Sequence, residues 1–343
     1  MKLIFKAAAA FFLALMMTGC ANDHYTKEGG EITTSVIKEL PPEETVTETA
    51  EVTDIVSEET SEITEAVPLM ITDREGNDIF VPDEVNTIIS ISPTVSELLE
   101  GLHVSDRIIA ADAASAVVEN INPDICTIDR NTVTAEELAA LGADVVIADG
   151  TSASASNTQL ALLKDMGVKV LFIPYSNSFS SIKLDIEFLA AYTGTEKKGA
   201  ELISEIDDVL NTLHMNGAGA VPSRTVYYEI SAYPEFESCG SDTFINEILE
   251  FIDAENIYSA ESGYITNDAD TVIAANPDVI ISDVHTADYD CSEISQREGW
   301  GEIKAVVNGR IFPTSIKLRP THKIADSIVE LAKLIYPEVY SKI

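Results

Sequence analysis

Residues from about 68 to 343 predict an α/β fold: two lobes, each with a mostly parallel sheet flanked by helices, joined by a long, stiff interlobe helix. Three observations predict it. Residues 135–150 (AEELAALGADVVIADG) and 269–284 (ADTVIAANPDVIISDV) repeat one another 134 residues apart. Strands and helices alternate on either side of the middle of the chain, and the longest helical stretch falls between the two halves. Each copy of the repeat is a short helix, a break at Gly142-Ala143 or Asn276-Pro277, and an apolar β-branched run ending in Asp149 or Asp283. Runs such as Val-Val-Ile and Val-Ile-Ile suit strands buried on both faces, which parallel sheets between helices require. Ala135/Ala269, Glu136/Asp270, Ala140/Ala274, Asp144/Asp278, Val145/Val279, Ile147/Ile281 and Asp149/Asp283 match as identities or acid for acid.

The elements follow in order. Residues 70–82 (MITDREGNDIFVP) read as two short strands around Glu75-Gly76-Asn77, a hairpin. Thr87–Ile91 is a buried strand, and Ser92-Pro93-Thr94 turns the chain into a helix over 95–102. Arg107–Ala111 is the next strand. Thr134 caps the helix carrying Glu136, and 145–148 is the strand after it. A helix over 160–166 ends at Gly167 and leads into a strand over 168–173. From 180 to 215 apolar residues recur at helical spacing, interrupted only at Thr193-Gly194-Thr195. After a loop over 217–222 the alternation resumes with a strand over 226–230, a helix over 243–252, the second repeat, a strand over 310–313 and an amphipathic helix over 324–335. Such alternation packs helices on both sheet faces.

The N-terminus has its own pattern. Lys2 and Lys6 precede an apolar run, residues 7–17, too short to span a membrane, and Met17-Thr18-Gly19-Cys20 follows. A small residue before cysteine at that place resembles the lipobox of bacterial lipoproteins, with Met17 where Leu is usual. The resemblance implies a signal peptide over 1–19, cleavage before Cys20 and a diacylglycerol on its sulfur. Residues 21–67 hold 13 acids against Lys27 and Lys38, with repeated Glu-Thr and Ser-Glu-Glu and no apolar period. Such a segment buries too little surface to offset its ordering entropy, so 20–67 reads as a lipidated, acidic, disordered tether. The expected organisation is then an N-terminal lobe over 68–179, the bridging helix over 180–216 and a C-terminal lobe over 217–343.

Outside 1–67 there are 17 basic and 45 acidic residues, a net charge of −28. A field of that sign repels phosphate backbones and argues against nucleic acid as a partner. Cys126, Cys239 and Cys291 are an odd set without C-x-x-C spacing, so at most one disulfide forms among them. Five scattered histidines argue against a dedicated metal carrier. No G-x-S-x-G, H-E-x-x-H or P-loop motif is present, so no catalytic residue is nominated. A hydrolase and a ligand sensor working without a permease stay as the weaker alternatives.

The body is similar to the substrate-binding proteins of ABC importers for iron–siderophores, haem and cobalamin. The resemblance is carried by seven segments in family order. They are Ile71-Thr72-Asp73, Ile89 to Leu98, Glu136 to Ile147, Tyr228-Glu229-Ile230-Ser231, Phe244-Ile245-Asn246-Glu247, Asn276 to Ile280, and Trp300 to Ile311. It implies ligand in an interlobe cleft, with no intrinsic cofactor but an iron chelate, haem or cobalamin as cargo. It also implies a monomer, lipid-anchored on the outer face of the cytoplasmic membrane, serving a permease dimer and its ATPase. One acid per lobe docks on the permease in such proteins; here these map to Glu136 and Asp270, with Asp268 able to share the contact. Both also sit in the first turn of a helix, where a carboxylate favours the macrodipole without any partner.

Ligands in open α/β sheets lie outside the carboxyl ends of the strands. That rule nominates Ser92, Thr94, Tyr175, Tyr233 and His285, together with Arg130 and Arg319, scarce cations whose planar fork suits a carboxylate or catecholate. Ser92 and Thr94 serve a helix cap equally well, and Glu229 suits either a structural bond or a ligand contact.

Overall fold

A computed structural model describes residues 69–74, 76–150, 157–217, 219–232, 235–284, 289–314 and 318–343. They belong to one unit, Thr64–Ile343. The signal peptide, Cys20, the tether, Tyr233 and His285 lie outside the described residues.

The chain opens with β1 (Met70–Thr72) and β2 (Asp78–Phe80), antiparallel, with Met70 opposite Phe80. β3 (Ile88–Ser90), α1 (Pro93–Gly101), β4 (Ile108–Asp112), β5 (Cys126–Ile128), α2 (Ala135–Ala140), β6 (Val145–Asp149), α3 (Thr158–Asp165) and β7 (Val170–Ile173) then build the N-terminal lobe. Its sheet is wholly parallel in the order β5-β4-β3-β6-β7. Successive residues bury on opposite faces, as the period of two demands. Ile88, Val145 and Ile147 join one core, whereas Ile89, Val146 and Ala148 join a second under Ala135, Leu138, Leu160 and Leu163 of α2 and α3.

The stretch 180–216 resolves into two helices where one long element was expected. α4 (Phe179–Thr193) ends at Gly194, whose φ of 71° is left-handed, and α5 (Glu196–Gly217) runs back along it. Lys183 Nζ lies 2.8 Å from Asp207 Oδ1, placing residues twelve before and twelve after Thr195 side by side. A Cβ on Gly199 would sit 2.6 Å from that of Ala190, so glycine sets how closely the pair approaches. The 22 residues of α5 span about 33 Å. The interruption foreseen at 193–195 is therefore a reversal of direction, and the crossover is a helical hairpin.

The C-terminal lobe contains β8 (Arg224–Glu229), β9 (Phe236–Cys239), α6 (Phe244–Phe251), β10 (Ala254–Asn256), β11 (Tyr264–Asn267), α7 (Ala269–Ala275), β12 (Val279–Ser282), α8 (Lys304–Val307) and β13 (Ile311–Pro313). α9 (Ile324–Ile335) and α10 (Pro337–Tyr340) close the chain. The sheet β10-β8-β12-β13 is parallel, and β9 pairs with β11 in a separate antiparallel ribbon. Val226, Tyr228, Val279 and Ile281 face the same core as Ile88 and Val145, through α4, α5 and α9. Tyr227 and Ile280 face outward onto Val272, Trp300 and Ile303. One continuous core thus runs through both lobes. No helix among the described residues is long and apolar enough to cross a membrane.

Candidate functional site

The repeat is structural as well as sequential. Thr134 caps α2 with its side chain and Asp268 caps α7 with its carboxylate, so Ala135 and Ala269 are both the first helical residue and Glu136 and Asp270 both the second. Glu137 returns a bond to the Thr134 amide (2.9 Å), completing a capping box. Asp268 accepts the Thr271 amide and hydroxyl, both at 2.8 Å, which hold its carboxyl below the usual range. Glu136 and Asp270 are exposed and have no side-chain partner among the described residues. Each lobe thus carries one uncommitted carboxylate at the same place, beside a committed one.

The lobes meet beside the carboxyl end of β7. Tyr175 and Tyr264, one from each lobe, bring their hydroxyls to 3.0 Å. The Phe179 amide donates to Glu247 Oε2 (2.8 Å), and the Phe179 ring stands edge-on to Phe244 and Phe251 at 5.6 and 5.3 Å. Burial raises the Glu247 carboxyl, while that amide draws it down. A second bridge runs from residues 321–323 to α1. The Thr321 hydroxyl donates to Glu97 Oε2 (3.0 Å), and Lys323 Nζ lies 3.5 Å from Glu100 and from Glu119. His322 fills the space left by the missing side chain of Gly101, where a Cβ would lie 2.6 Å from its ring. Burial lowers the imidazole to about 4, against the pull of Glu100, so His322 is neutral at pH 7.

The nominated ligand residues separate on this frame. Ser92 is fully buried; its hydroxyl caps α1 and donates to Asp149 (2.8 Å), which supports the first of its two readings, the cap. Thr94 is buried too, and lines a small cavity with Asp149, Tyr175, Ser176, Asp185 and Pro320. Arg130 is exposed, with Nη1 3.8 Å from Asp112 at the end of β4. Arg319 is part-exposed, and its carbonyl accepts the Thr321 amide at 2.8 Å. Tyr175 is 40% exposed where its hydroxyl meets that of Tyr264.

Glu229 takes the structural reading. It is wholly buried and accepts both arms of Arg297, at 2.5 and 3.0 Å, and the Tyr289 hydroxyl at 2.6 Å. The Arg297 guanidinium lies 4.6 Å from the Trp300 ring centre and 5.0 Å from that of Phe236. Sequence reasoning passed over Arg297, although an arginine three residues before the chain's one tryptophan was a usable signal. It also passed over Tyr264, since no strand was expected there.

Beside that small cavity, Asp185 of α4 accepts Arg74 Nε at 2.6 Å and Arg74 Nη2 at 3.3 Å, and also takes a bond from Ser176. Burial pushes this carboxyl up to about 6 in spite of those donors. Cys126, Cys239 and Cys291 are unpaired, and burial pushes the Cys239 thiol up to about 12. Among the described residues no group of three or more His, Cys, Asp or Glu is arranged to hold a metal ion.

Comparison with known proteins gives a consistent result. The signature of the periplasmic binding protein family matches residues 88–315. An uncharacterized ABC transporter substrate-binding lipoprotein of Bacillus subtilis, YvrC, is 28% identical over 283 residues, covering 81% of this chain and 89% of that protein. A vitamin B12-binding protein of Vibrio campbellii is 23% identical over 78% of this chain and 94% of its own length. The crystal structure of a possible iron-binding periplasmic solute-binding protein from Staphylococcus epidermidis superposes with a TM-score of 0.66 at 25% identity, covering 74% of this chain and all of that one. With two parallel-sheet lobes, a helical crossover and that match over most of its body, the chain belongs to the periplasmic binding protein family.

Proposed function

We propose that the protein is the extracytoplasmic substrate-binding component of an ABC importer. It captures an iron chelate, haem or cobalamin-like ligand in the interlobe cleft and delivers it to a permease dimer driven by an ATPase. Diacylglycerol on Cys20 anchors it, and residues 20–67 set its reach from the bilayer, on the order of a few tens of ångströms. Arg130, Arg319, Tyr175 and Thr94, with Tyr233 and His285, are the candidate ligand contacts. The ligand class draws on the relatives, whose names include iron- and vitamin B12-binding proteins.

One observation carries this reading: Glu136 and Asp270 occupy the same helical position in both lobes, exposed and uncommitted. A lone first-turn acid needs no partner, but a symmetric pair suits a partner that is itself a dimer. Asp268 is held as a cap, which supports Asp270 as the docking acid of its lobe. Rim charges of this kind chiefly set orientation and association rate.

The test is the double variant Glu136→Lys with Asp270→Lys, assayed for uptake of cyanocobalamin, haemin and a ferric hydroxamate siderophore. Uptake of whichever ligand the wild type imports should vanish while the purified variant binds it unchanged. Undiminished uptake would remove the docking assignment. Absorption spectra and native mass of the purified protein would name the ligand class.

A further inference from the structure

We propose that Tyr175 and Tyr264 form a latch across the cleft mouth, which an incoming ligand must part and whose two rings then contact it. The proposal rests on the cleft being the ligand site. Its geometric basis is the single hydrogen bond of 3.0 Å between two phenols that are 40% and 58% exposed, one on each lobe. Tyrosines left in solvent do not hold such a bond unless their backbones are fixed, because ordering two side chains costs more than one exposed bond returns.

Both backbones are fixed. On the N-terminal side, Arg74 reaches from the β1–β2 hairpin to the residues flanking Tyr175, donating to the Pro174 carbonyl and to Ser176 Oγ (2.7 Å). Asp185 holds that guanidinium from below, and burial keeps the brace rigid. Gly150 lets the loop lie close to β6: a Cβ there would stand 2.5 Å from the Tyr175 nitrogen. On the other lobe, Tyr264 pairs with Cys239 in the β9–β11 ribbon. The adjoining turn is tied by the Gly240 amide to the Gly263 carbonyl and the Gly263 amide to the Ser241 carbonyl, both at 2.8 Å. A Cβ on Gly240 would overlap the Glu261 carbonyl, at 2.0 Å. Two separately braced loops thus aim one phenol each at the same point. Arg74 and Asp185 are positioning residues; the tyrosines are the contacts.

A latch of one bond holds part of the population shut, which lowers apparent affinity by the fraction that is open. Tyr175→Phe and Tyr264→Phe keep the rings but remove the bond. Each should bind the ligand that the wild type binds, among cyanocobalamin, haemin and a ferric hydroxamate, about two- to tenfold tighter, mostly through faster association. The double variant Tyr175→Ala/Tyr264→Ala should bind it at least about tenfold more weakly, through loss of both ring contacts. Unchanged affinity and rates in the phenylalanine variants, or unchanged affinity in the alanine variant, would overturn the proposal. Photo-oxidative tyrosine coupling of the ligand-free lipoprotein gives an independent reading. It should yield a Tyr175–Tyr264 cross-linked peptide by mass spectrometry, absent from either phenylalanine variant. No such peptide in the wild type would also overturn the latch. If none of the three probes binds but the peptide forms, the latch stands and the ligand class proposed above is wrong.

Discussion

The Asp278 carboxylate accepts both the amide and the hydroxyl of Thr225, at 3.1 and 3.0 Å, while its own amide returns a bond to the Thr225 hydroxyl at 3.0 Å. Asp144 and Thr87 make the same exchange in the other lobe: the Thr87 amide donates to Asp144 Oδ2 at 2.8 Å, and the Asp144 amide returns to Thr87 Oγ1 at 3.0 Å. Each clasp ties the start of the central strand to the start of its neighbour, fixing the register of β3 on β6 and of β8 on β12.

Asp278→Ala should therefore cost about 1–3 kcal/mol, because it leaves the Thr225 amide and hydroxyl without their acceptor. Asp144→Ala should cost about 1 kcal/mol, since its site is open to water. The two clasps lie in different lobes, so the losses should add within a few tenths of a kcal/mol in denaturant titrations. Ligand affinity should be unmoved.

Breaking the Glu229–Arg297 pair should be harsher. Arg297→Ala strands a wholly buried carboxylate, a loss of about 3–5 kcal/mol. Arg297→Lys should recover little of it, because an ammonium reproduces neither the two-pronged contact nor the stacking on Phe236 and Trp300. Thermal unfolding of both variants, with near-ultraviolet circular dichroism of Trp300, checks this.

His322 makes stability fall in acid. Its folded pKa of about 4 lies below the ordinary 6.5, so the unfolded chain binds the extra proton first. The contribution is complete above pH 6.5 and drains away as pH drops toward 4, by at most about 1.4 kcal/mol per unit. Asp185 runs the opposite way: its raised value of about 6 favours the folded state below about pH 4, an advantage lost as pH rises through 6. His322→Gln should flatten the acid limb of a melting-temperature profile, and Asp185→Asn should steepen it. A wild-type-like profile in both variants would contradict these assignments.

Gly240→Ala is expected to be among the most damaging single-methyl additions. The new Cβ would meet a backbone carbonyl, which cannot swing aside as a side chain does. Expression level and melting temperature should both drop, whereas Gly142→Ala, where φ is +66° but the space is open, should show only the milder strain of a left-handed residue.

The large elements were legible because their signals are dense. The buried runs around Ile89, Ile147 and Ile281 are apolar on consecutive residues, and the α4–α5 stretch keeps its spacing over 15 residues before Gly194 and 22 after it. The β9–β11 ribbon was not legible. Glu237 and Thr266 face solvent on a two-stranded strip, and Ser238 is buried only by donating to the Tyr228 carbonyl (2.7 Å), a contact invisible from sequence. The repeat itself was half visible: Asp144 and Asp278 could be aligned, but Thr87 and Thr225 stand in dissimilar surroundings, Asn-Thr-Ile and Arg-Thr-Val. At the site, the helix-start position of Glu136 and Asp270 followed from local capping rules. The meeting of Tyr175 with Tyr264 did not, since it depends on how two distant segments are brought together by tertiary packing.

The helical hairpin constrains how cargo can be sensed. Two antiparallel rods, clamped by Lys183–Asp207 and seated closely at Gly199, resist bending as a doubled beam does, and they share one core with both sheets. Empty and filled carriers should then differ little in outline. A transporter that distinguishes them must read small shifts at the rim of the molecule, where a few side chains change places, and not a jaw swinging shut.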